Sequence, residues 1–347
     1  MFFYLFVLKK NNTFAYQIDN TMNTTTNFMD LKIKSPIIVG SCGLTSDIET
    51  LKKIEQAGAG AVILKSVFEE QIMQEMTKNV NMSDYSYSPE SYDYVASHTQ
   101  EQSLDKYVNL IKNAKKELSI PVIASVNCIS ASQWVSFASK MEQAGADGIE
   151  LNMFILPSDV HLTTDDVERF YEDTIQSIRR AVSIPVSLKM SPYFSSLARF
   201  AQKVSWMGIS NLHIFNRFAQ QDINIDKICT EPANVFSTSG AFPRTLRWTA
   251  ILSNIIHCPL TAGGGVHKKE DVIKLLLAGA SSVQVVSAIY EQGIEFIQEA
   301  NDLLKSWMQE KGFETIDDFR GKLAVEKNDK SSTFHRVQFM KYFANIE

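Results

Sequence analysis

Two lysines and three asparagines in this 347-residue chain stand at one kind of place, at or near the end of a short β-rich apolar run. They are Lys65 in "AVILKS", Asn127 in "PVIASVN", Asn152 in "GIELN", Lys189 in "PVSLKM" and Asn216 in "LHIFN". Lysine is almost never fully buried without a partner. One alone could snorkel to solvent, but two at a common mouth imply an anionic or electron-rich ligand. Falling at comparable points are Gly40-Ser41-Cys42-Gly43, Ser66, Arg217, Gly263-Gly264-Gly265 and Ser287. The glycine triplet in "TAGGGV" precedes the helical pattern "HKKEDVIKLL", an arrangement in which backbone N–H groups can approach phosphate oxygens closely. Taken alone, the triplet could equally be a tight turn.

The elements that must position these residues repeat one joint. "QAGAGAVILKS" (56–66), "QAGADGIELN" (143–152), "WMGISNLHIFN" (206–216) and "LAGASSVQVVS" (277–287) each end a helix near a glycine and then start an apolar run that reads without alternation. Glycine suits the left-handed helix cap, and a continuous apolar run marks a strand buried on both faces, as in parallel sheets. Interleaved are "SPIIVGS" (35–41), "IPVIASVN" (120–127), "IPVSLKM" (184–190) and "CPLTAGGG" (258–265). Between the runs lie helical patterns such as "DIETLKKIEQAG" and "DVERFYEDTIQSIRRAV", several behind an Asp, Ser or Thr cap. Eight strands, each followed by a helix, predict an α/β fold, a (β/α)8 TIM barrel over residues 29–310. A doubly wound sheet also alternates strand and helix, but the count favours the barrel. In a barrel the C-terminal strand ends form the active site.

Composition bounds the rest. The chain is 45% hydrophobic and 21% charged, ordinary globular usage with ample material for a core. A formal charge of −5 with no basic stripe argues against nucleic acid as a partner. Four scattered cysteines (Cys42, Cys128, Cys229, Cys258) without a CxxC pair suit a reducing compartment, so a cytoplasmic location is expected, with no metal site. The apolar run in "MFFYLFVLKK" is too short to span a bilayer, and no membrane association is expected. Residues 1–28 are expected to be a disordered leader or misassigned start, with Met22 and Met29 as alternative starts. Residues 311–347 are read as a helical tail that could pack on a partner subunit, making a homodimer a candidate assembly.

Here the pattern resembles the dihydroorotate dehydrogenases, FMN-dependent barrels of pyrimidine synthesis, and in particular the soluble class and its less characterised relatives. The resemblance covers about residues 30–310. "GAGAVILKS" is similar to the family's second-strand segment, which implies that Lys65 and Ser66 contact flavin and substrate. "VSLKMSPYF" resembles the fifth-strand segment and makes Lys189 the flavin-holding lysine. "IFNRF" sits where the family has Asn-Ser, giving Asn216 but Arg217 in place of serine. "STSGAFPRTLRWTAI" resembles the loop before the seventh strand and marks Gly240. "AGGGV" and "VQVVSAI" are similar to the FMN phosphate loops and implicate Gly264, Gly265, Ser287 and Ala288. Ser41, Gly43, Asn127 and Asn152 complete the implied cofactor set, and Lys65, Asn152 and Asn216 the implied substrate set. The chemistry is consistent with this. A lysine at the N1/O2 edge stabilises reduced flavin, and asparagines match the amide edges of a pyrimidine or isoalloxazine.

One stretch departs from the resemblance. The family's fourth strand ends Asn-x-Ser-Cys-Pro-Asn, or has Ser for Cys, and that Cys or Ser removes the substrate's C5 proton. In "IELNMFILPSDV" Asn152 remains, but the base position falls on Ile155 or Leu156, and Ser158 follows Pro157. The family's Asn-rich loop after the second strand gives way to a connection carrying Tyr85, Tyr87, Tyr92 and Tyr94. Replacement bases within reach in sequence are Ser158, Asp159, His161, Cys128 and these tyrosines, of which Ser158 and His161 are weak candidates. The apolar stretch could also be a loop packed under a lid. The expected function is an FMN-dependent oxidoreductase of dihydroorotate dehydrogenase type acting on a small molecule, with fumarate or another soluble acceptor. The alternatives are a flavin reductase for a different small unsaturated substrate, and a phosphate- or flavin-binding barrel without turnover.

Overall fold

The computed structural model describes residues 22–70, 104–128, 131–153, 155–217 and 220–325. Eight parallel strands close into a barrel. They are β3 (Ile37–Val39), β4 (Ala61–Ile63), β6 (Val122–Asn127), β7 (Gly148–Asn152), β8 (Val186–Met190), β9 (Asn211–Ile214), β12 (Leu260–Gly263) and β13 (Ser282–Val285). Each pairs with the next in that order, β13 returns to β3, and β5 (Val67–Phe68) extends the β4 edge against β6. The helices between them are α1 (Ile48–Gln56), α2 (104–117), α3 (Ala131–Gln143), α4 (Thr164–Ala181), α5 (Leu197–Ser205), α6 (Phe242–Leu252) and α7 (Lys269–Leu277). After β13 come α8 (Ser287–Gln292) and α9 (Glu295–Lys311). This is the expected (β/α)8 barrel.

The strands are buried on both faces, but their chemistry alternates, contrary to the sequence reading. Apolar residues such as Leu151, Leu188 and Leu212 alternate with polar ones. Ser125, Glu150, Ser187 and Asn211 lie in register on neighbouring strands, and so do Asn152, Lys189 and His213. Since side chains alternate along a strand, one parity packs against helices and the other fills the barrel axis. The axial residues satisfy one another: Asn211 donates to Ser187 Oγ at 2.8 Å, Thr261 to Asn211 Oδ1 at 3.0 Å, and the Thr261 and Ser282 hydroxyls lie 2.7 Å apart.

The ordered fold starts before the expected boundary at residue 29. The strands β1 (Thr26–Phe28) and β2 (Leu31–Ile33) form a hairpin whose Phe28, Met29 and Ile33 pack with Ile38, Ala61, Ile63 and Ile123. Burial of these apolar side chains gives residues 26–28 a place in the fold that a disordered leader would lack. At the other end, 312–325 is not a continuation of helix. Gly312 caps α9 in the left-handed conformation, and a 3-10 turn (Ile316–Asp318) buries Ile316 and Phe319. The chain then bonds to α6 and α7 through Val325 N to Ala250 O and Leu323 N to Leu277 O. Between β9 and α6 a two-stranded excursion, β10 (Gln221–Asn224) and β11 (Cys229–Pro232), carries exposed Ile223, Ile225 and Ile228. Among the described residues no helix is long and apolar enough to cross a membrane.

Candidate active site

A cleft of about 400 Å³ opens at the C-terminal ends of the strands, within the range that accommodates a small organic ligand. Among the residues that line it are Ser41, Lys189, Asn216, Arg217, Gly264, Gly265 and Ser287. Among the described residues no acidic side chain lines it, and the charges on its wall are those of Lys189 and Arg217, so it favours an anionic or electron-rich occupant.

Its floor, at Ser41 and Asn216, is backed by a chain of amides and hydroxyls in which Asn152, Ser66 and Ser125 lie behind the lining. Asn216 donates through Nδ2 to Asn152 Oδ1 at 2.5 Å, and Asn152 donates to Ser66 Oγ at 3.3 Å. The Ser66 hydroxyl lies 2.9 Å from Ser41 Oγ and 2.8 Å from Ser125 Oγ. These contacts join five neighbouring or near-neighbouring strands, β3, β4, β6, β7 and β9, toward their C-terminal ends. Arg217, which stands where the resemblance expects serine, is held by carbonyls: its guanidinium donates to Val235 O and Asn234 O, both at 2.6 Å. It thereby ties the segment after the β10–β11 excursion across the cleft.

Beneath the floor lies a charged group that sequence reasoning missed. Glu150 and His213 are almost completely buried, and His213 Nδ1 is 2.9 Å from Glu150 Oε2. Lys189 Nζ stands 3.9 Å from Glu150 Oε1. Burial drives the His213 imidazole below its ordinary value and the Lys189 charge adds to this, so the ring is neutral at neutral pH. Burial alone would raise the Glu150 carboxyl, but the Lys189 ammonium and the contact with His213 outweigh it and hold the group ionised. The net result is an ammonium at the cleft wall backed by a buried carboxylate. A Glu and a His on the axial parity of β7 and β9 are the signal that could have found the pair.

This pair makes acid stability testable. The unfolded chain protonates His213 near pH 6.5, whereas the fold keeps the ring neutral to lower pH. Falling pH therefore favours the unfolded chain, with stability full above about 6.5 and lost progressively below it. Glu150, depressed below 4.5 in the fold, extends the loss as its own folded pKa is crossed. Thermal melts of His213→Gln between pH 7 and 5 should decline less steeply than those of the wild type. An equal slope would place the titration elsewhere.

The glycine loop is shaped by close approach. Gly265 has φ +81°, and a Cβ there would stand 2.3 Å from Phe242 N, at the start of α6. Helix backbone cannot yield cheaply, so Gly265→Ala should destabilise the protein by roughly 2–4 kcal/mol, combining left-handed strain with overpacking. A melting temperature unchanged from wild type would refute this. Gly40 leaves room for Gln284, whose Nε2 would lie 2.0 Å from a Cβ at that position. That Nε2 is buried without a hydrogen-bond partner on the cleft wall.

Not every expected residue reaches the cleft. Lys65 is exposed and does not line it, and Asn127 is buried at the end of β6. Gly43 packs beside Tyr290, and Ala288 is buried in α8. Gly240 sits exposed in the 3-10 turn Ser239–Ala241, away from the lining. Ser158 and His161 are exposed and outside the cleft lining, and the His161 amide bonds only to Asp159 in a local turn. Neither Ile155 nor Leu156 lines the cleft; Ile155 packs partly against the core and Leu156 is about half exposed. Cys128 is a poor base, because burial pushes its thiol well up. The four tyrosines at 85–94 lie outside the described residues.

The donor set fits a flavin mononucleotide. Lys189 and the Asn216 amide line the cleft, Gln284 on the same wall keeps a buried Nε2 without a partner, and two positive-φ glycines with a serine offer donors for a phosphate. Comparison with known proteins agrees. The family described as "Dihydroorotate dehydrogenase" matches residues 23–308. The chain is 26% identical to the catalytic subunit of dihydroorotate dehydrogenase B (NAD(+)) from Thermoplasma volcanium, across 86% of this chain and 97% of that one. It is 25% identical to the protein of the same name from Methanocaldococcus jannaschii, across 85% and 96%. It is also 21% identical to the PreA subunit of the NAD-dependent dihydropyrimidine dehydrogenase of Escherichia coli, across 87% and 77%.

Proposed function

Because the chain belongs to the dihydroorotate dehydrogenase family, we propose that it is an FMN-dependent oxidoreductase acting on a carbon–carbon bond of a small cyclic amide, with dihydroorotate the leading substrate. The observation that carries this reading is a cleft, acid-free among the described residues, that joins Lys189 and Asn216, backed by Asn152 and Ser66, to Gly264, Gly265 and Ser287. When bound, the flavin supplies two-electron hydride chemistry. The chain's residues do the rest. Lys189 opposes the negative charge of the reduced ring. Asn152 and Asn216 fix the orientation of the substrate's amide edge. Backbone N–H groups at Gly264 and Gly265 hold the phosphate. Ser41 shapes the wall beside these groups, whereas Gly43, Lys65, Asn127, Gly240 and Ala288 act from outside the lining.

Purified protein should be yellow, release FMN on denaturation, and bleach anaerobically with a suitable donor. A colourless protein that takes up no FMN would sink the assignment. The chain works, in this reading, without the family's Cys or Ser base. That favours a second reading, a reductase for a different pyrimidine or related unsaturated ring, supported by the similarity to a dihydropyrimidine dehydrogenase subunit. Comparing dihydroorotate with dihydropyrimidines, enones and quinones as reactants separates the two.

The names of the relatives carry NAD(+) and describe catalytic subunits. We therefore take NAD(+), reached through a second subunit, as the acceptor in place of fumarate. A homodimer through the exposed isoleucines of the β10–β11 excursion is a compatible assembly, open to sedimentation analysis. The described cysteines are all free, as a cytoplasmic protein's would be.

A further inference from the structure

Three side chains beside the glycine loop have no part in the reading so far. Ser237 lines the cleft just before α6, His267 follows the loop after β12, and Glu291 lies in α8. Ser237 Oγ is 3.2 Å from His267 Nε2, and His267 Nδ1 is 2.9 Å from Glu291 Oε2. The line has the order of a nucleophilic serine triad, but its protons run differently. The Ser237 hydroxyl donates to Ser287 Oγ at 3.0 Å, and the Ser237 N–H donates to the same oxygen, also at 3.0 Å. A hydroxyl has one proton. With it committed to Ser287, Ser237 faces His267 as an acceptor. On the far side of the ring, Nδ1 stands against the Glu291 carboxylate, which fixes how the imidazole is turned. The loop backbone on either side is pinned too: Gln292 donates to His267 O at 2.7 Å, and His267 N to Asp271 Oδ2 at 3.3 Å.

We propose that the Ser237–His267–Glu291 line is a hydrogen-bonded clamp for a phosphate monoester, and that it makes the cleft prefer FMN over riboflavin. The inference rests on the flavin reading above. Ser237, Ser287, Gly264 and Gly265 face the same cleft, so the two hydroxyls can turn their protons to phosphate oxygens. His267 does not line the cleft. It is a positioning residue that acts through Ser237, giving that hydroxyl a fixed partner so that its own proton can point at the ligand. Glu291 holds the ring in the orientation this requires.

The test titrates the full-length apoprotein with FMN and, separately, with riboflavin, following flavin fluorescence. Hydrogen bonds to charged groups set the scale. Ser237→Ala, His267→Leu and Glu291→Gln should each weaken FMN binding by roughly ten- to a hundredfold and leave riboflavin binding unchanged. Glu291→Asp should restore part of the preference. Equal loss for both ligands would mean a structural role, and unchanged FMN affinity would mean no role; either overturns the clamp. A wild-type chain that binds both flavins equally would overturn it while leaving the flavin reading intact. One that binds neither would overturn both.

Discussion

Lys189→Ala is expected to strip the protein of most of its FMN and to lower the reduction potential of what remains. Among the described residues Lys189 is the only lysine that lines the cleft, and its ammonium stands over a buried carboxylate. The substitution therefore acts twice. On the cleft side it removes the positive charge that favours reduced over oxidised flavin. On the barrel side it leaves Glu150 ionised with only neutral His213 beside it, and breaking a buried pair in this way costs roughly 3–5 kcal/mol. Glu150 meets that cost by taking up a proton or by destabilising the fold. The double variant Lys189→Ala/Glu150→Gln separates the two effects: it should recover most of the stability but not the potential. Flavin content by absorbance, the midpoint potential by dye equilibration and the melting temperature read all three. Normal occupancy and potential in Lys189→Ala would remove this lysine from the flavin site.

What the sequence makes legible here is what local chemistry encodes. Glycine caps, strand-opening prolines and apolar runs mark the eight strands and their order, and the strand ends name Asn152, Lys189, Asn216 and the glycine loop. The barrel axis is harder to read. Its polar rows are built largely from Ser, Thr and Asn, which blur into an apolar run, so alternation in "VSLKM" passes for continuity. Glu150 and His213 acquire meaning only together, 63 positions apart, when β8 sets their strands two apart around the barrel. Arg217 fails as a serine substitute for the same kind of reason. Its partners are the carbonyls of Asn234 and Val235, brought to it by an excursion whose path no local pattern fixes. The boundary at residue 29 is missed because Phe28 needs its neighbours on β3, β4 and β6 before it reads as core.

Oxidation of dihydroorotate by the wild-type chain should be slow, by roughly 10²–10⁴ relative to relatives that carry a Cys or Ser base, the usual worth of a positioned proton acceptor. The candidates within reach in sequence each fail on geometry or acidity. Ser158 and His161 are exposed outside the cleft, Asp159 is exposed beside them, and the Cys128 thiol is pushed up by burial. The serines on the floor bond to one another and to Asn152, and that network holds no strong base. Flavin geometry and proton removal are thus expected to be uncoupled: the cofactor binds, but among the described residues the C5 proton has no acceptor. Stopped-flow reduction by dihydroorotate reads this directly, since binding appears as a fast spectral shift and chemistry as the slow bleach. Ile155→Cys should not rescue the bleach, because Ile155 packs partly against the core and does not line the cleft. A rise in rate with binding unchanged would show instead that position 155 reaches the substrate and that only the base was missing. Fast wild-type reduction, unaltered by Ser158→Ala or His161→Ala, would mean that the proton leaves through a group beyond these, and the tyrosines at 85, 87, 92 and 94 would be the next to replace. If dihydroorotate stays slow while a dihydropyrimidine without the carboxylate bleaches the flavin rapidly, the altered strand-4 end is a change of substrate and not a loss of activity.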